Sequence, residues 1–357
     1  MKSNTRREIN RRLRYTVRDV AQEAGVSIAT VSRVLNTPDS VSIKTQDKVH
    51  EAIKRLNYAR NQVASSLRSS SSAMVGFVVS DITNPFFVRV IKSAERVLRS
   101  HDYTMLICDS EEDPAKEYNY LNDLFARQID GLIIIPSIEH NKIPQILKSR
   151  DVPTVFVDRY LSDRFDCIMS NNQAGISLLV SHLASKGYHK IGLVCGSLDT
   201  LTGRQRYEAF TKMLKLYNLP FDHNWTRFCD FSVEGGYKAT RELIASKSIP
   251  EALIASNNLT GIGALRAIHD SNLEIPRDIG LVVFDEVILG DVTNPPLTVV
   301  EQPSDLIGAE AARLLVNRMY GNTSLPPQIV VYDPKLIVRG STRAISNESV
   351  ITDTKKN

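Results

Sequence analysis

The sequence predicts an α/β protein in which two similar lobes, each built on a parallel sheet, follow a small all-α head. Three observations predict it. Residues 16–36 carry the spacing of two short helices folded about one glycine. From Ala73 onward, short apolar runs alternate with amphipathic stretches, the pattern of parallel strands covered on both faces by helices. That series restarts near Asn171, so the unit occurs twice.

In the head, Val17, Val20, Ala21 and Ala24 recur at i, i+3, i+4, i+7 and form the buried face of a first helix. Gly25 stops that helix and turns the chain. Ser27 caps a second helix whose inward residues are Val31, Val34 and Leu35. Its other face carries Thr30, Ser32 and Arg33, donors able to meet phosphates and base edges. This is a helix-turn-helix, and it implies sequence-specific binding of double-stranded DNA. A third segment from Ser42 places Ile43, Val49, Ile53 and Leu56 to close a three-helix core. A domain of about 60 residues can fold alone.

Charge is divided unevenly. Residues 1–70 hold 14 Lys+Arg against 6 Asp+Glu, a net of +8. The whole chain is +4, so the remainder carries −4. A basic module on a mildly acidic body fits a DNA reader joined to a sensor. Residues 1–14, with six basic side chains, read as a disordered basic tail. After the head at 15–60, Asn61 caps a helix of about two turns, far below the roughly 12–15 residues that persist alone in water. The serines at 69–72 are flexible linker.

Strand-like runs fall at Val75–Val79, Thr104–Cys108, Gly131–Ile135, Thr154–Val157, Lys190–Cys195, Ala252–Ala255 and Gly280–Phe284. Between them lie helical stretches at Phe86–Ser100, Gln173–Lys186, Tyr207–Leu216, Thr260–His269 and Asp305–Tyr320. Ligands of such sheets bind beyond the carboxyl ends of the strands. The loops there hold Asn84, Phe86 and Phe87, then Asp158 and Arg159, Thr202 and Arg206, Asn257 and Asp285. Carboxylates, amides and guanidinium groups beside aromatic rings suit a small polyol.

Other classes find little support. The chain shows no phosphate-cradling loop, no nucleophile elbow and no His-Glu-x-x-His. Gly261-Ile262-Gly263 lacks the third glycine of a dinucleotide fingerprint and sits in a helical pattern. The seven histidines never pair at i, i+4, so no metal site or cofactor is expected, and the chain is expected not to be an enzyme. Cys108, Cys167, Cys195 and Cys229 form no disulfide framework. No apolar run approaches the roughly 20 residues of a membrane span. The basic start lacks the apolar segment of a secretory signal, so a reducing cytoplasm is expected.

Over residues 15–344 the sequence resembles the LacI/GalR family of bacterial transcription regulators. The carriers are Val20-Ala21, Ala24-Gly25-Val26-Ser27, Ala29-Thr30-Val31-Ser32-Arg33-Val34-Leu35-Asn36, Ala64 and Leu67. Further along come Ile82-Thr83-Asn84-Pro85-Phe86-Phe87, Gln128-Ile129-Asp130-Gly131, Phe284-Asp285 and the ending Ile337-Val338-Arg339-Gly340-Ser341-Thr342.

The resemblance implies a helix-turn-helix head, a hinge helix within 61–73, and a two-lobed periplasmic-binding-protein-like core with parallel sheets at 74–344. The N-lobe would comprise 74–170 and 303–330, and the C-lobe 171–302 and 331–344, with crossings near Asn171, Gln302 and Val331. Residues 345–357 would be a disordered tail without leucine heptads, which favours a homodimer over a tetramer. The dimer would read a pseudo-palindromic operator, repression being the family's usual output. Ile28, Ala29 and Arg33 match residues that read the major groove, and Leu67 matches a leucine that wedges open a central minor-groove step. Thr16, Ser27, Asn36, Tyr58, Asn61 and Ala64 complete the implied DNA-facing set.

The effector residues carried over by position are Phe86, Phe87, Asp158, Arg206, Phe231, Asn257 and Asp285. Closure of the lobes on a sugar, sugar acid or sugar phosphate would change how often two hinges pair on DNA. Several departures stand out. Arg60 and Ser65 replace the family's Pro and Arg in the hinge. Asn171-Asn172 and Asn257-Asn258 put amides where the family has one carboxylate in each pair. Less negative charge tilts the expected effector toward an anionic sugar.

Overall fold

The computed structural model describes residues 15–58, 71–137, 142–246, 248–321 and 325–344. Two compact units divide the chain at Ser72. The expected basic tail, the hinge helix with Asn61, Ala64 and Leu67, and residues 345–357 lie outside the described residues.

The first unit contains α1 (Val17–Ala24), α2 (Ile28–Asn36) and α3 (Ile43–Arg55), with one 3-10 turn at Pro38–Ser40. Thr16 caps α1: the Asp19 carboxylate accepts from its backbone N–H at 2.6 Å and its hydroxyl at 2.7 Å. Gly25 takes φ +64°, the left-handed turn that a side chain would strain. Ser27 Oγ accepts from Thr30 N at 3.0 Å and opens α2. Val20, Ala21, Ala24, Val31, Val34, Val49 and Ala52 form the core. Ile43 departs from expectation: it is 77 % exposed. It lies six residues before Val49, and at 3.6 residues per turn that places it well round the helix from the core face. Gln46, one turn before Val49, donates instead to Pro38 O at 2.9 Å and Val41 O at 2.8 Å.

The second unit has two six-stranded sheets. The first comprises β1 (Met74–Val79), β2 (Thr104–Asp109), β3 (Gly131–Ile134), β4 (Thr154–Val157), β5 (Asp166–Ser170) and β11 (Ile329–Tyr332). Its order is β11-β5-β4-β3-β1-β2, parallel throughout. The second comprises β6 (Ile191–Cys195), β7 (Thr226–Phe228), β8 (Ala252–Ala255), β9 (Gly280–Phe284), β10 (Thr298–Glu301) and β12 (Lys335–Ile337). Its order is β12-β10-β9-β8-β6-β7, with only β12 antiparallel.

The helices are α4 (Pro85–Arg99), α5 (Pro114–Ala126), α6 (Lys142–Arg150), α7 (Asn172–Ser185), α8 (Leu201–Leu216), α9 (Val233–Ile244), α10 (Asn258–Asp270) and α11 (Ser304–Met319). All seven predicted strands appear, within one residue at either end.

Each lobe buries its own apolar faces, around Phe77, Ile133 and Val155 in the first and Leu193, Ile254 and Val282 in the second. Every such side chain contributes about 1.5–3 kcal/mol. The chain passes between lobes three times. It leaves the first sheet after Ser170, returns after Glu301 as α11 against β3, β4 and β5, and leaves again for β12. The last passage falls after Tyr332 rather than at Val331, because Val331 and Tyr332 pair with Met169 and Ser170. Gly263 serves packing, as its helical pattern predicts: an added Cβ would lie 2.2 Å from Val233 O, so α9 and α10 meet backbone to backbone. Among the described residues no helix is long and apolar enough to cross a membrane.

Candidate functional site

In the head, α2 turns its apolar side inward and leaves Ile28, Ala29 and Arg33 exposed, with Thr30 and Ser32 half-buried. Ala29 and Arg33 are four apart, as are Ile28 and Ser32, so the four share one helical face. Ser27 and Thr30 are partly committed to capping, their hydroxyls 2.8 Å apart. Thr16 is likewise held by Asp19. Tyr58 packs on the head's core. The side chain of Asn36 lies outside what is described.

In the second unit the expected effector residues converge. Asn84, Phe86, Phe87, Asp158, Arg159, Thr202, Arg206, Phe231, Asn257 and Asp285 all line one cavity of about 470 Å³ between the lobes. That volume suits a small ligand. The convergence follows from topology: every β-α connection delivers a helix N-terminus to the carboxyl edge of its sheet. Asn84 caps α4, Ser232 caps α9 and Asn257 caps α10 there, so partial positive charge surrounds the cavity.

Arg206 is the most constrained of these groups, at 3 % exposure. Its Nε donates to Asn172 Oδ1 at 2.8 Å and its Nη1 to the carbonyl of Ser256. The guanidinium stacks 3.8 Å from the ring centroid of Phe284. Burial lowers its pKa, against the pull of Asp285 and Asp158. Burial also pushes the Asp285 carboxyl up to about 6, although Arg206 and the amide of Gln302 favour its charged form. Asp158 and Asp285 both take left-handed backbone, at φ +64° and +79°. On the first lobe, Arg159 is buried and forks onto Glu112, each Nη 2.8 Å from one carboxylate oxygen. It also donates to the carbonyls of Pro136 and Ser137.

Eight further residues line the cavity: Asp81, Thr83, Asp109, Glu111, Glu112, Asp230, Ser232 and Gln302. Asp109 ends β2, Glu111 and Glu112 follow it, and Gln302 follows β10, a strand that sequence periodicity did not reveal. The lining therefore holds seven carboxylates against two guanidinium groups. Of the four amides behind the expected tilt toward an anionic sugar, only Asn257 lines the cavity. Asn171 caps α7 and reaches Asp333, Asn172 holds Arg206, and Asn258 bonds Asn84, so none of the three lines the cavity. Among the described residues no group of three His, Cys, Asp or Glu is placed to hold a metal ion.

Beneath Arg159 lies Glu117 of α5, fully buried, with Oε2 accepting from Ser137 N at 2.7 Å and Oε1 without a partner. Burial raises its pKa to about 7, against the pull of the Ser137 N–H. A carboxyl whose folded pKa exceeds its unfolded value near 4.5 stabilises the fold most at low pH. That stability is lost as pH rises from about 4.5 toward 7. Glu117→Gln is therefore expected to match the parent near pH 4.5 and exceed it by about 3 kcal/mol at pH 8. Urea unfolding across that range reads the gap. A constant difference would show that Glu117 does not titrate there.

An outward polar helix on a basic head, and a polar cavity between two α/β lobes, define a ligand-sensing DNA-binding regulator. Comparison with known proteins makes the assignment specific. Residues 16–61 match the model of bacterial regulatory proteins of the lacI family, and residues 180–342 match a periplasmic binding protein-like domain. The chain is 34 % identical to the ribose operon repressor of Halalkalibacterium halodurans, over 93 % of this chain and 98 % of that one. It is 32 % identical to the HTH-type transcriptional repressor PurR of Haemophilus influenzae, over 92 % and 99 %. Among solved structures it superposes on the lac repressor dimer bound to operator and the anti-inducer ONPF, with TM-score 0.84, 26 % identity and coverage of 93 % and 100 %. A transcriptional regulator CelR–cellobiose complex matches with TM-score 0.70, 28 % identity and coverage of 92 % and 100 %. The chain belongs to the LacI family and is a DNA-binding transcription regulator controlled by a small effector.

Proposed function

We propose that this regulator is a repressor whose effector is a neutral carbohydrate held in the inter-lobe cavity. The observation that carries the reading is the cavity's charge, seven carboxylates to two already engaged guanidinium groups. Carboxylates accept from hydroxyls and repel anions, so a polyol is favoured over a sugar acid or sugar phosphate. The ribose operon repressor and the cellobiose complex among its relatives point to the same class. The polar groups hold one another in place, an arrangement suited to binding rather than turnover. Phe86, Phe87 and Phe231 in the lining, with the relatives named PurR, favour a planar heterocycle as the second reading. The protein acts as a homodimer in the cytoplasm, with Asn61, Ala64 and Leu67 contributing the hinge contacts.

A thermal-shift panel of neutral sugars, sugar acids, sugar phosphates and purines tests this, because a ligand specific to the native state raises its stability. Stabilisation by anions alone would refute the neutral reading, and by purines alone would select the second. On DNA, Ile28 and Ala29 offer apolar contact and Arg33 a bidentate guanine contact. Arg33→Ala is expected to cost about 1–3 kcal/mol of discrimination, roughly 5- to 150-fold in affinity for a selected palindrome. Fluorescence anisotropy against that palindrome and random duplex reads it. An equal loss on both duplexes would make Arg33 a phosphate contact.

A further inference from the structure

Asn258 stands outside the cavity, yet it joins the lobes. Its Nδ2 donates to Oδ1 of Asn84 at 3.0 Å, and the two residues are 1 % and 6 % exposed. Asn84 opens α4 on the first lobe, and Asn258 is the first residue of α10 on the second. Among the described residues, the other contacts across the cleft are apolar or looser: Leu201 of α8 packs against the first lobe's core, Arg159 lies 5.7 Å from the Phe231 ring centroid, and Arg89–Glu301 is a solvent-exposed pair. We propose that Asn258 is a positioning residue that holds the two lobes closed through this bond. Its part in regulation rests on reading the cavity as the effector site.

The polarity of the bond is fixed at both ends. Asn84 Oδ1 also accepts from Phe86 N at 3.0 Å, the cap of α4, so oxygen rather than nitrogen must face that N–H. Asn258 Oδ1 accepts from Leu259 N at 2.8 Å, which leaves its Nδ2 for Asn84. Asn84 therefore acts only as an acceptor in these bonds, and Asn258 must donate. Two isosteric changes then have opposite outcomes. Asn84→Asp keeps an acceptor for both partners, and its charge, buried near the cavity's carboxylates, is offset by the N-terminus of α4 and by the two N–H groups that donate to it. Asn258→Asp sets a carboxylate oxygen against Asn84 Oδ1 and breaks the bond. Opening frees both amides to water, so the loss falls on the closed arrangement alone.

Amide hydrogen exchange of the full-length protein, read by mass spectrometry without added ligand, tests the role. Asn258→Asp is expected to accelerate exchange about tenfold in the peptides containing Phe86 and Leu259 together, with β8 and β9 unchanged. Asn84→Asp is expected to keep the parent's protection in both. Parent-like exchange in Asn258→Asp would overturn the proposal. So would equal deprotection by Asn84→Asp, or faster exchange throughout β8 and β9, which would mean general destabilisation. Because no sugar enters the measurement, a carbohydrate panel that fails would sink the effector reading and leave this result standing.

Discussion

Arg206→Ala is expected to weaken binding of whichever sugar stabilises the parent by at least a hundredfold, about 3 kcal/mol. The size follows from what the side chain holds. Its guanidinium is buried, bonded to Asn172 and Ser256 and stacked on Phe284. A charged donor fixed in that way meets a hydroxyl without further ordering, and each such bond contributes about 1.5–3 kcal/mol. Its removal has a second consequence. Arg206 helps keep the Asp285 carboxyl charged against its burial. Without the cation, Asp285 moves further above about 6 and is protonated through more of the neutral range. The site then exchanges an acceptor for a donor and loses complementarity at two places. Arg206→Lys should recover little, because a single ammonium cannot span Asn172 and the Ser256 carbonyl together. Isothermal titration measures the affinity, and operator anisotropy without sugar confirms that the head still works. Affinity within threefold of the parent would remove Arg206 from the site.

The parts of this molecule legible in its sequence are those where one physical requirement dominates. Central strands such as Thr154–Val157 and Gly280–Phe284 are buried on both faces and stand out as unbroken apolar runs. Of the missed strands, β7 has only three residues, β10 is a four-residue run that ends on Glu301, and β5, though buried throughout, begins and ends on the polar Asp166 and Ser170, which break its apolar signal. β11 alternates exposed and half-buried residues, and β12 has only three residues. Function itself hid part of α8. Its pattern was read from Tyr207, yet the helix starts at Leu201, because Thr202 and Arg206 in its first turns face the cavity instead of the core. The acidic run Glu111-Glu112-Asp113 looks like a solvated loop, and nothing in its spacing reveals that Glu112 reaches a buried guanidinium 47 residues away. Amide-for-carboxylate substitutions were visible, but the directions of those side chains were not: only Asn257 of the four amides lines the cavity, and Asn171, Asn172 and Asn258 bond to other protein groups.

That buried pair carries the second large expectation. Glu111 and Glu112 take left-handed backbone, at φ +52° and +56°, a conformation that costs non-glycine residues about 1–3 kcal/mol. The turn is held by Glu112 N donating to Ser80 O at 2.6 Å, and it delivers the carboxylate to both Nη atoms of Arg159. Glu112→Ala leaves the guanidinium in a buried site with two backbone carbonyls and the more distant Asp158, at 3.6 Å from Nε. Breaking a buried pair by removing one partner costs about 3–5 kcal/mol. Glu112 is partly open to water, so the lower figure applies, and it should lower the melting temperature by about 6–12 °C. Glu112→Gln should fall between, because its amide nitrogen cannot accept from the second Nη. If the cost comes from the uncompensated cation rather than from lost packing, Glu112→Ala combined with Arg159→Met should regain most of it. Calorimetry of the two single variants and the double variant closes the cycle. Additive losses would show that Glu112 and Arg159 stabilise the fold independently, and that the fork between them contributes nothing beyond its two ends.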